Sequence, residues 1–139
     1  MSINLLSRLA IIIVAGFASL STLKLSVDHL QHGEVCPMLG PIPACIVVFL
    51  GYFCVVVAAI FVTKPFVKRL FYIGWTPVFL LALMGVTAEI ALILGLVKGH
   101  TCPSGPIGIP QCFFSLAIAL ICLASFKICL LYTSDAADE

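Results

Sequence analysis

Residues 75–97 read WTPVFLLALMGVTAEIALILGLV, a long apolar run in which Glu89 is the single charged residue. A helix needs about 20 apolar residues to cross the hydrocarbon core of a bilayer, and this run is long enough. Unpaired backbone amides in hydrocarbon cost several kcal/mol each, so a run placed there has to be helical. Three further apolar runs occupy residues 10–27, 44–63 and 112–126. The sequence therefore predicts an all-α fold, an integral membrane four-helix bundle.

The composition indicates that lipid, and not water, is the solvent for most of the surface. Of the 139 residues, 63% are hydrophobic and 9% are charged, and the mean hydropathy is +1.26. A soluble domain has about a quarter of its residues charged. The sequence also contains no glycine-rich phosphate-binding loop, no Ser-His-Asp set and no basic stripe. We therefore expect a lipid bilayer as a partner of this chain and no nucleic acid.

The C-terminal end differs in character from the rest of the chain. Residues 129–139 read CLLYTSDAADE. This segment resembles, over its whole length, the translation of the reverse complement of a transposase sequencing adapter. We therefore expect residues 129–139 to be a non-native tail and the natural chain to continue differently after residue 128. A natural acidic C-terminus is the alternative.

Basic residues predict the orientation, because Lys and Arg in short loops stay on the cytoplasmic side. Five basic residues lie on one side: Arg8 before the first run, Lys64, Lys68 and Arg69 in the linker between the second and third runs, and Lys127 after the fourth run. The other side has Lys24 and Lys98. We expect a multi-pass protein of the bacterial inner (plasma) membrane with both termini cytoplasmic. The two remaining loops then face the periplasm or the exterior, where disulfides persist.

The two loops predicted to lie outside resemble each other. Residues 36–45 read CPMLGPIPAC and residues 102–112 read CPSGPIGIPQC. Both begin with Cys-Pro, continue with a short spacer and Gly-Pro-Ile, and end with Pro-x-Cys at the start of a helix. The chain is therefore predicted to consist of two parallel helix-loop-helix repeats, at about 10–63 and about 75–128. Residues 1–128 would form a single transmembrane domain with a pseudo-twofold axis along the membrane normal.

Four cysteines bound these two loops. We expect disulfides between Cys36 and Cys45 and between Cys102 and Cys112; in the alternative arrangement all four thiols converge, cross-paired or around a metal. Metal sites usually have two to four residues between paired cysteines, a spacing that these loops lack, so we expect no metal. As structural staples, the disulfides would contribute about 2–3 kcal/mol each through chain entropy. As redox groups, one pair would exchange with the other when a thiolate attacks the neighbouring disulfide.

Glu89 is a candidate functional residue because an acid within a membrane span is unfavourable and rarely incidental. Lys24 precedes Cys36 at nearly the distance at which Glu89 precedes Cys102. The two side chains should therefore lie at similar depth, and we predict an interhelical Lys24–Glu89 pair. Asp28, one helical turn from Lys24, would compete for it. The pair would act as a packing and register device, or Glu89 would be a proton or quinone-contact site.

Local motifs resemble those of four-helix membrane thiol oxidoreductases, namely the bacterial vitamin K epoxide reductase homologues and the disulfide-bond formation protein B family. Homologues of the first kind often carry Ile-Pro followed by Gly-Tyr, as residues 42–43 and 51–52 do here. They also open the fourth helix with a cysteine that a Ser-Ala or similar pair follows, as Cys112 and residues 115–117 (Ser-Leu-Ala) do here. Both families have a Cys-x-x-Cys pair beside the quinone, and this sequence has none.

The resemblance implies a thiol-disulfide oxidoreductase that passes electrons to a membrane quinone. It implies that Cys112 is a quinone-side cysteine and that Cys36 and Cys45 are the shuttle pair. It further implies a quinone as cofactor and a periplasmic thiol protein as partner. The alternative is a non-enzymatic, disulfide-stapled membrane subunit, assembly factor or small transporter component. The missing Cys-x-x-Cys favours this alternative, whereas the duplicated cysteine loops favour the enzyme.

Overall fold

Four α-helices and one short β-hairpin make up most of the chain. The computed structural model describes residues 3–33, 36–99, 102–105 and 107–137. The helices are α1 (Ile3–His32), α2 (Ala44–Ile60), α3 (Val67–Ile93) and α4 (Gln111–Ala137). The strands β1 (Met38–Leu39) and β2 (Ile42–Pro43) pair antiparallel between α1 and α2. The predicted helical class is therefore confirmed at the level of a mostly helical chain with four helices.

The helices pack in a closed ring in chain order. α1 packs chiefly against α2 and α4, and α3 packs against the same two helices. α1 and α3 therefore lie diagonally across the core. At the start of α1, the Arg8 guanidinium donates to the carbonyl oxygens of Ala59 at 3.2 Å and Ile60 at 2.9 Å. These bonds satisfy carbonyls that the C-terminus of α2 leaves without a helical partner.

Three helices are long and apolar enough, by length and composition, to cross a membrane: Ile3–His32, Val67–Ile93 and Gln111–Ser134. α2 is also apolar but has 17 residues. At 1.5 Å per residue it is about 26 Å long, against about 30 Å for a typical hydrocarbon core. The second apolar run is expected to be helical to residue 63, but α2 ends at Ile60 and the chain turns before Pro65. The structure thus has three helices of spanning length and a shorter, apolar α2, and four membrane crossings stay a prediction.

The other helices extend beyond the apolar runs that predicted them at one end or both, although α3 ends at Ile93, before the predicted end at residue 97. α1 spans Ile3–His32 where the run covered 10–27, and α3 begins at Val67, so it includes much of the basic linker. The helical backbone continues into polar residues that water can solvate. Hydropathy does not detect these helix ends, because it measures only the apolar part of a helix. α4 continues to Ala137 through most of the segment expected to be non-native. Asp138 and Glu139 of that segment lie outside the described residues, and its origin stays a prediction.

The core consists largely of small residues. Six alanines are between 0% and 5% exposed: Ala15, Ala18, Ala58, Ala59, Ala82 and Ala119. In contrast, Phe17 and Leu20 are each 69% exposed and Ile73 is 68% exposed. Small residues between helices and large apolar side chains on the outside are typical of helices that pack in lipid, where close backbone approach drives association. In water, so much exposed apolar surface would be unfavourable.

α2 and α3 approach each other closely at Gly51 and Gly74, both of which are buried. A Cβ atom added to Gly74 would lie 2.6 Å from the carbonyl oxygen of Gly51 and 2.5 Å from the Cβ of Cys54. A Cβ added to Gly51 would lie 2.6 Å from the carbonyl oxygen of Gly74. Backbone atoms cannot move aside as the end of a flexible side chain can. The contact between these two helices therefore requires glycine on both.

Aromatic rings fill the core between α3 and α4 towards the end that is remote from the cysteine loops. Phe71 and Phe126 stack with ring centroids 3.8 Å apart. Tyr72 lies edge-on to both rings. The indole N–H of Trp75 donates to the carbonyl oxygen of Ala119 at 2.7 Å. This end of the core is densely packed, and the Trp75 bond fixes the register of α3 against α4.

Candidate functional site

The first cysteine loop is a disulfide-closed hairpin. Met38 pairs with Pro43 and Leu39 with Ile42. Gly40 has φ 65°, as expected for a two-residue hairpin turn with glycine in its first position. A disulfide joins Cys36 to Cys45, whose Cα atoms are 6.0 Å apart. The hairpin thus brings the ends of the loop together at the start of α2.

The second cysteine loop closes in a similar way. A disulfide joins Cys102 to Cys112, with Cα atoms 6.3 Å apart, and Ser104 and Pro110 form an antiparallel bridge. In each loop the residue before the closing cysteine donates its backbone N–H to the proline after the opening cysteine. These bonds run from Ala44 to the oxygen of Pro37 at 2.9 Å and from Gln111 to the oxygen of Pro103 at 3.1 Å. The similarity of the two loop sequences therefore extends to their backbone hydrogen bonds.

Each opening cysteine is hydrogen bonded to an ionisable side chain of the preceding helix. The backbone N–H of Cys36 donates to Nδ1 of His29 at 3.2 Å. The backbone N–H of Cys102 donates to Oε1 of Glu89 at 3.0 Å. An imidazole and a carboxylate, both able to exchange protons, thus anchor the two disulfide loops.

The structure places the two residues of the predicted Lys24–Glu89 pair on helices that are diagonal in the ring. Lys24 is exposed on α1, whereas Glu89 is half-buried on α3 and accepts a hydrogen bond from the Cys102 N–H. The Lys24–Glu89 pair stays a prediction, and the structure adds a contact of Glu89 with the second cysteine loop.

Glu89 lies beside the second disulfide itself. One carboxylate oxygen of Glu89 and the sulfur atoms of Cys102 and Cys112 all lie within 4.8 Å of one another. Gly85, one turn before Glu89, faces the same disulfide: a Cβ added there would be 3.0 Å from Cys102 Sγ and 2.9 Å from Cys112 Cβ. These three side chains could hold a metal ion only if the two sulfurs were reduced, because the structure bonds them to each other. The Cys102–Cys112 disulfide can therefore approach α3 closely at Gly85, and the Glu89 carboxylate lies beside it one turn later.

An apolar cavity of about 470 Å³ adjoins both loops. Cys45 of the first disulfide and both Cys102 and Cys112 of the second line its wall. α1, α2 and α4 provide most of the remaining wall, and α3 contributes Leu81 and Ala82. The volume lies within the range of about 300–1,000 Å³ that is usual for small-molecule sites. The end of the core that carries the disulfides is therefore hollow, in contrast to the aromatic end.

Few polar side chains line this cavity, and most are engaged. The Tyr52 hydroxyl donates to the carbonyl oxygen of Ser115 and lies 3.0 Å from its Oγ. Ser21 and Thr22 donate to carbonyl oxygens of their own helix. Within the described ranges, no hydrogen bond engages the carboxamide of Gln111, which lines the cavity next to Cys112. Gln111 is therefore the polar group of the wall that is available to a ligand.

Replacing Tyr52 with phenylalanine should destabilise the protein by about 1 kcal/mol, because the hydrogen bonds to Ser115 are lost. Tyr52 is 2% exposed, so water cannot replace its hydroxyl. The midpoint of thermal unfolding in detergent measures the change. Tyr72→Phe is the matched control, since the Tyr72 hydroxyl has no hydrogen-bond partner in the part of the chain that the structure covers. A Tyr52→Phe midpoint equal to that of Tyr72→Phe would contradict the assigned role.

Three cysteines remain as free thiols: Cys54, Cys122 and Cys129. Cys122 and Cys129 are 1% and 0% exposed and belong to the core around Phe126. The Cys129 thiol donates to the carbonyl oxygen of Asn4 at 3.9 Å. Buried cysteines of this kind behave as small hydrophobic residues. The sulfur atoms that border the cavity are therefore those of the two loops.

Sequence reasoning identifies the four loop cysteines and Glu89 but neither Gly85 nor Gln111. It places His29, with Asp28 and His32, where the first apolar run leaves the membrane, as solvated or proton-handling residues, and it does not link His29 to Cys36. The spacing of four residues between Gly85 and Glu89 places both on one helix face, and this signal could have revealed the contact with the loop. No protein-family model, no curated protein and no solved structure matches the chain, so its function is inferred from the geometry of this site.

Proposed function

We propose that this chain is a multi-pass membrane protein that oxidises thiols of a partner and passes the electrons to a membrane quinone. The observation that carries the proposal is an apolar cavity that both disulfides border. Electron transfer between thiols requires the sulfur of one pair to reach the disulfide of the other. A cavity that both disulfides border supports such an exchange, and its volume of about 470 Å³ accommodates an apolar electron acceptor.

In the proposed order, Cys36 and Cys45 react with the partner and Cys102 and Cys112 react with the acceptor. A partner dithiol reduces the Cys36–Cys45 disulfide and leaves as a disulfide. The Cys36 and Cys45 thiols then reduce the Cys102–Cys112 disulfide by the same exchange. Both cysteines of the second pair line the cavity, whereas Cys45 alone represents the first pair there. This difference favours the second pair as the one next to the acceptor.

A quinone fits the chemistry of the cavity walls. The walls are predominantly apolar, and the carboxamide of Gln111 next to Cys112 can donate a hydrogen bond to a ring carbonyl. Such a donor would orient the ring towards the sulfur atoms. When bound, a quinone supplies an acceptor for two electrons and two protons, which regenerates the disulfide.

The proposed membrane placement rests on three long apolar helices and on large apolar side chains that are exposed around small-residue contacts. We propose a four-helix bundle of two parallel repeats with both termini cytoplasmic and the cysteine loops on the periplasmic side. The matching hydrogen bonds from Ala44 to Pro37 and from Gln111 to Pro103 support the repeat. α2, at 17 residues, would cross with local bilayer thinning, at fractions of a kcal/mol per Å of mismatch.

Thiol counting tests the proposed function directly. The full chain in lipid nanodiscs is treated with dithiothreitol, desalted and then given a short-chain benzoquinone. At each stage it is denatured in acid and labelled with a mass-tagging maleimide. The chain has seven cysteines, three of them free. We expect three tags at rest, seven after the dithiol and three again after the quinone, with quinol formed as the thiols disappear.

The result of this count separates the proposal from a disulfide-stapled structural protein. Disulfides that serve only as staples would resist mild dithiol, and the count would remain at three. A count that rises to seven but does not fall when the quinone is added would also overturn the proposal. Addition of the reduced, quinol form in place of the quinone is the control, because it cannot accept electrons and should leave seven tags.

A further inference from the structure

We propose that Glu89 is the proton-transfer group of the Cys102–Cys112 pair. This inference rests on the proposed function and assigns the route of the proton at the same site. The disulfide borders an apolar cavity, where a thiolate is poorly solvated. A thiolate released there needs a proton at the moment when the S–S bond breaks. The side chain that can supply that proton has to lie beside the sulfur atoms.

Glu89 has this position. Its carboxylate oxygen lies within 4.8 Å of the sulfur atoms of both Cys102 and Cys112, a distance that a small rotamer change or one water molecule can bridge. The hydrogen bond from the Cys102 N–H to Oε1, at 3.0 Å, ties the carboxylate to the loop that carries the sulfur. The carboxylate and the disulfide therefore keep their relative position when the loop moves.

Gly85 allows this arrangement. A side chain at this position would meet the Cys102 and Cys112 sulfur atoms at 3.0 Å and 3.2 Å. Because glycine occupies it, the disulfide packs directly on the face of α3 that carries Glu89 one turn later. The glycine and the acid thus form one unit with the disulfide.

In the proposed step, protons and electrons move together. The Glu89 carboxylate takes the proton of one thiol of the Cys36–Cys45 pair, and the thiolate attacks one sulfur of the Cys102–Cys112 disulfide, so that a mixed disulfide forms as the old S–S bond breaks. The leaving sulfur takes the bonding electron pair and receives the proton from Glu89. The second thiol of the Cys36–Cys45 pair then gives its proton to Glu89 and attacks the mixed disulfide, and the second leaving sulfur receives that proton. When the Cys102 and Cys112 thiols are oxidised again, the Glu89 carboxylate accepts a proton from one of them and passes it to the quinone.

Glu89→Gln separates proton transfer from structure, because its amide oxygen still accepts the hydrogen bond from Cys102. The full chain is reduced with dithiothreitol, desalted and mixed with a short-chain benzoquinone, and the loss of thiols is followed by maleimide tagging. We expect the rate constant of thiol loss at saturating quinone to fall about 100-fold, as is usual when a proton-transfer group is removed, with the half-saturating quinone concentration unchanged. Glu89→Asp should recover part of the rate. Three tags at rest, as in the wild type, show that the disulfides of Glu89→Gln have formed.

Each outcome distinguishes this inference from the proposed function. A wild-type chain whose thiols the quinone does not oxidise refutes the proposed function, whatever Glu89 does. A wild-type chain that cycles, with Glu89→Gln at the same rate, overturns the role of Glu89 and leaves the proposed function standing. If Glu89→Gln shows extra tags at rest, Glu89→Ala with added acetate decides. Acceleration by acetate and not by acetamide supports proton transfer, and equal rates with both refute it.

Discussion

Replacing Gly74 with alanine is expected to destabilise the protein by on the order of 3 kcal/mol, because overpacked helix contacts cost this much when the obstacle cannot move. The added Cβ would lie 2.6 Å from the carbonyl oxygen of Gly51, so α2 and α3 have to separate. Separation would also open the contacts beside it, including that of Cys54. Reversible unfolding in mixed micelles, followed by circular dichroism, measures the loss of stability.

Gly16→Ala is the matched control, since a Cβ added to Gly16 on α1 meets nothing within 4 Å. It should be neutral or slightly stabilising, as alanine favours helix more than glycine does. The double variant Gly51→Ala/Gly74→Ala should lose less stability than the two single changes combined, because the helices need to separate only once. Additive losses, or a Gly74→Ala chain as stable as Gly16→Ala, would show that the helices do not meet at this point.

Replacing Cys112 with serine should abolish quinone-linked thiol oxidation, because the second disulfide, the pair with both cysteines in the cavity wall, cannot form. The rate of quinol formation from dithiothreitol should equal the rate without protein. At rest, four thiols should be tagged, since Cys102 loses its partner and joins the three free cysteines. The count should rise to six with dithiol and remain there when the quinone is added.

Cys54→Ala is the control for this experiment. Cys54 is a free thiol on α2 that does not line the cavity, and alanine keeps the Cβ that packs at Gly74. Its turnover should equal that of the wild type, with one tag fewer at rest. A Cys112→Ser chain that still forms quinol at the wild-type rate would refute the assigned path of the electrons.

Hydropathy predicted the number of helices well and their ends poorly. The apolar runs show which segments lipid can surround, and the structure has a helix in each of them. Helical hydrogen bonding, however, continues through polar residues such as Lys68 at the start of α3 and ends at Ile60 although apolar residues follow. The length of α2 was therefore overestimated and those of α1 and α3 were underestimated.

The site was predictable in its cysteines and not in its surroundings. Cysteine spacing and the repeated loop sequence placed two pairs at two helix starts, and the structure contains both disulfides. The number of residues between Glu89 and Cys102 predicts the depth of Glu89 along α3. It does not predict that Glu89 faces Cys102, because this contact depends on how the second loop folds back over α3. The cavity is lined by residues of four helices and both loops, so no single segment of sequence encodes it.

The backbone hydrogen bonds inside the two loops have a consequence for any redox cycle. Opening the S–S bond would leave the bonds from Ala44 to Pro37 and from Gln111 to Pro103 in place. The two sulfur atoms of each pair would then stay neighbours, and their effective molarity towards each other would remain high. Each loop would alternate between dithiol and disulfide with little reorganisation. The hydrogen-bonded backbone already holds the ends of the loop together, so forming the S–S bond costs little further conformational entropy.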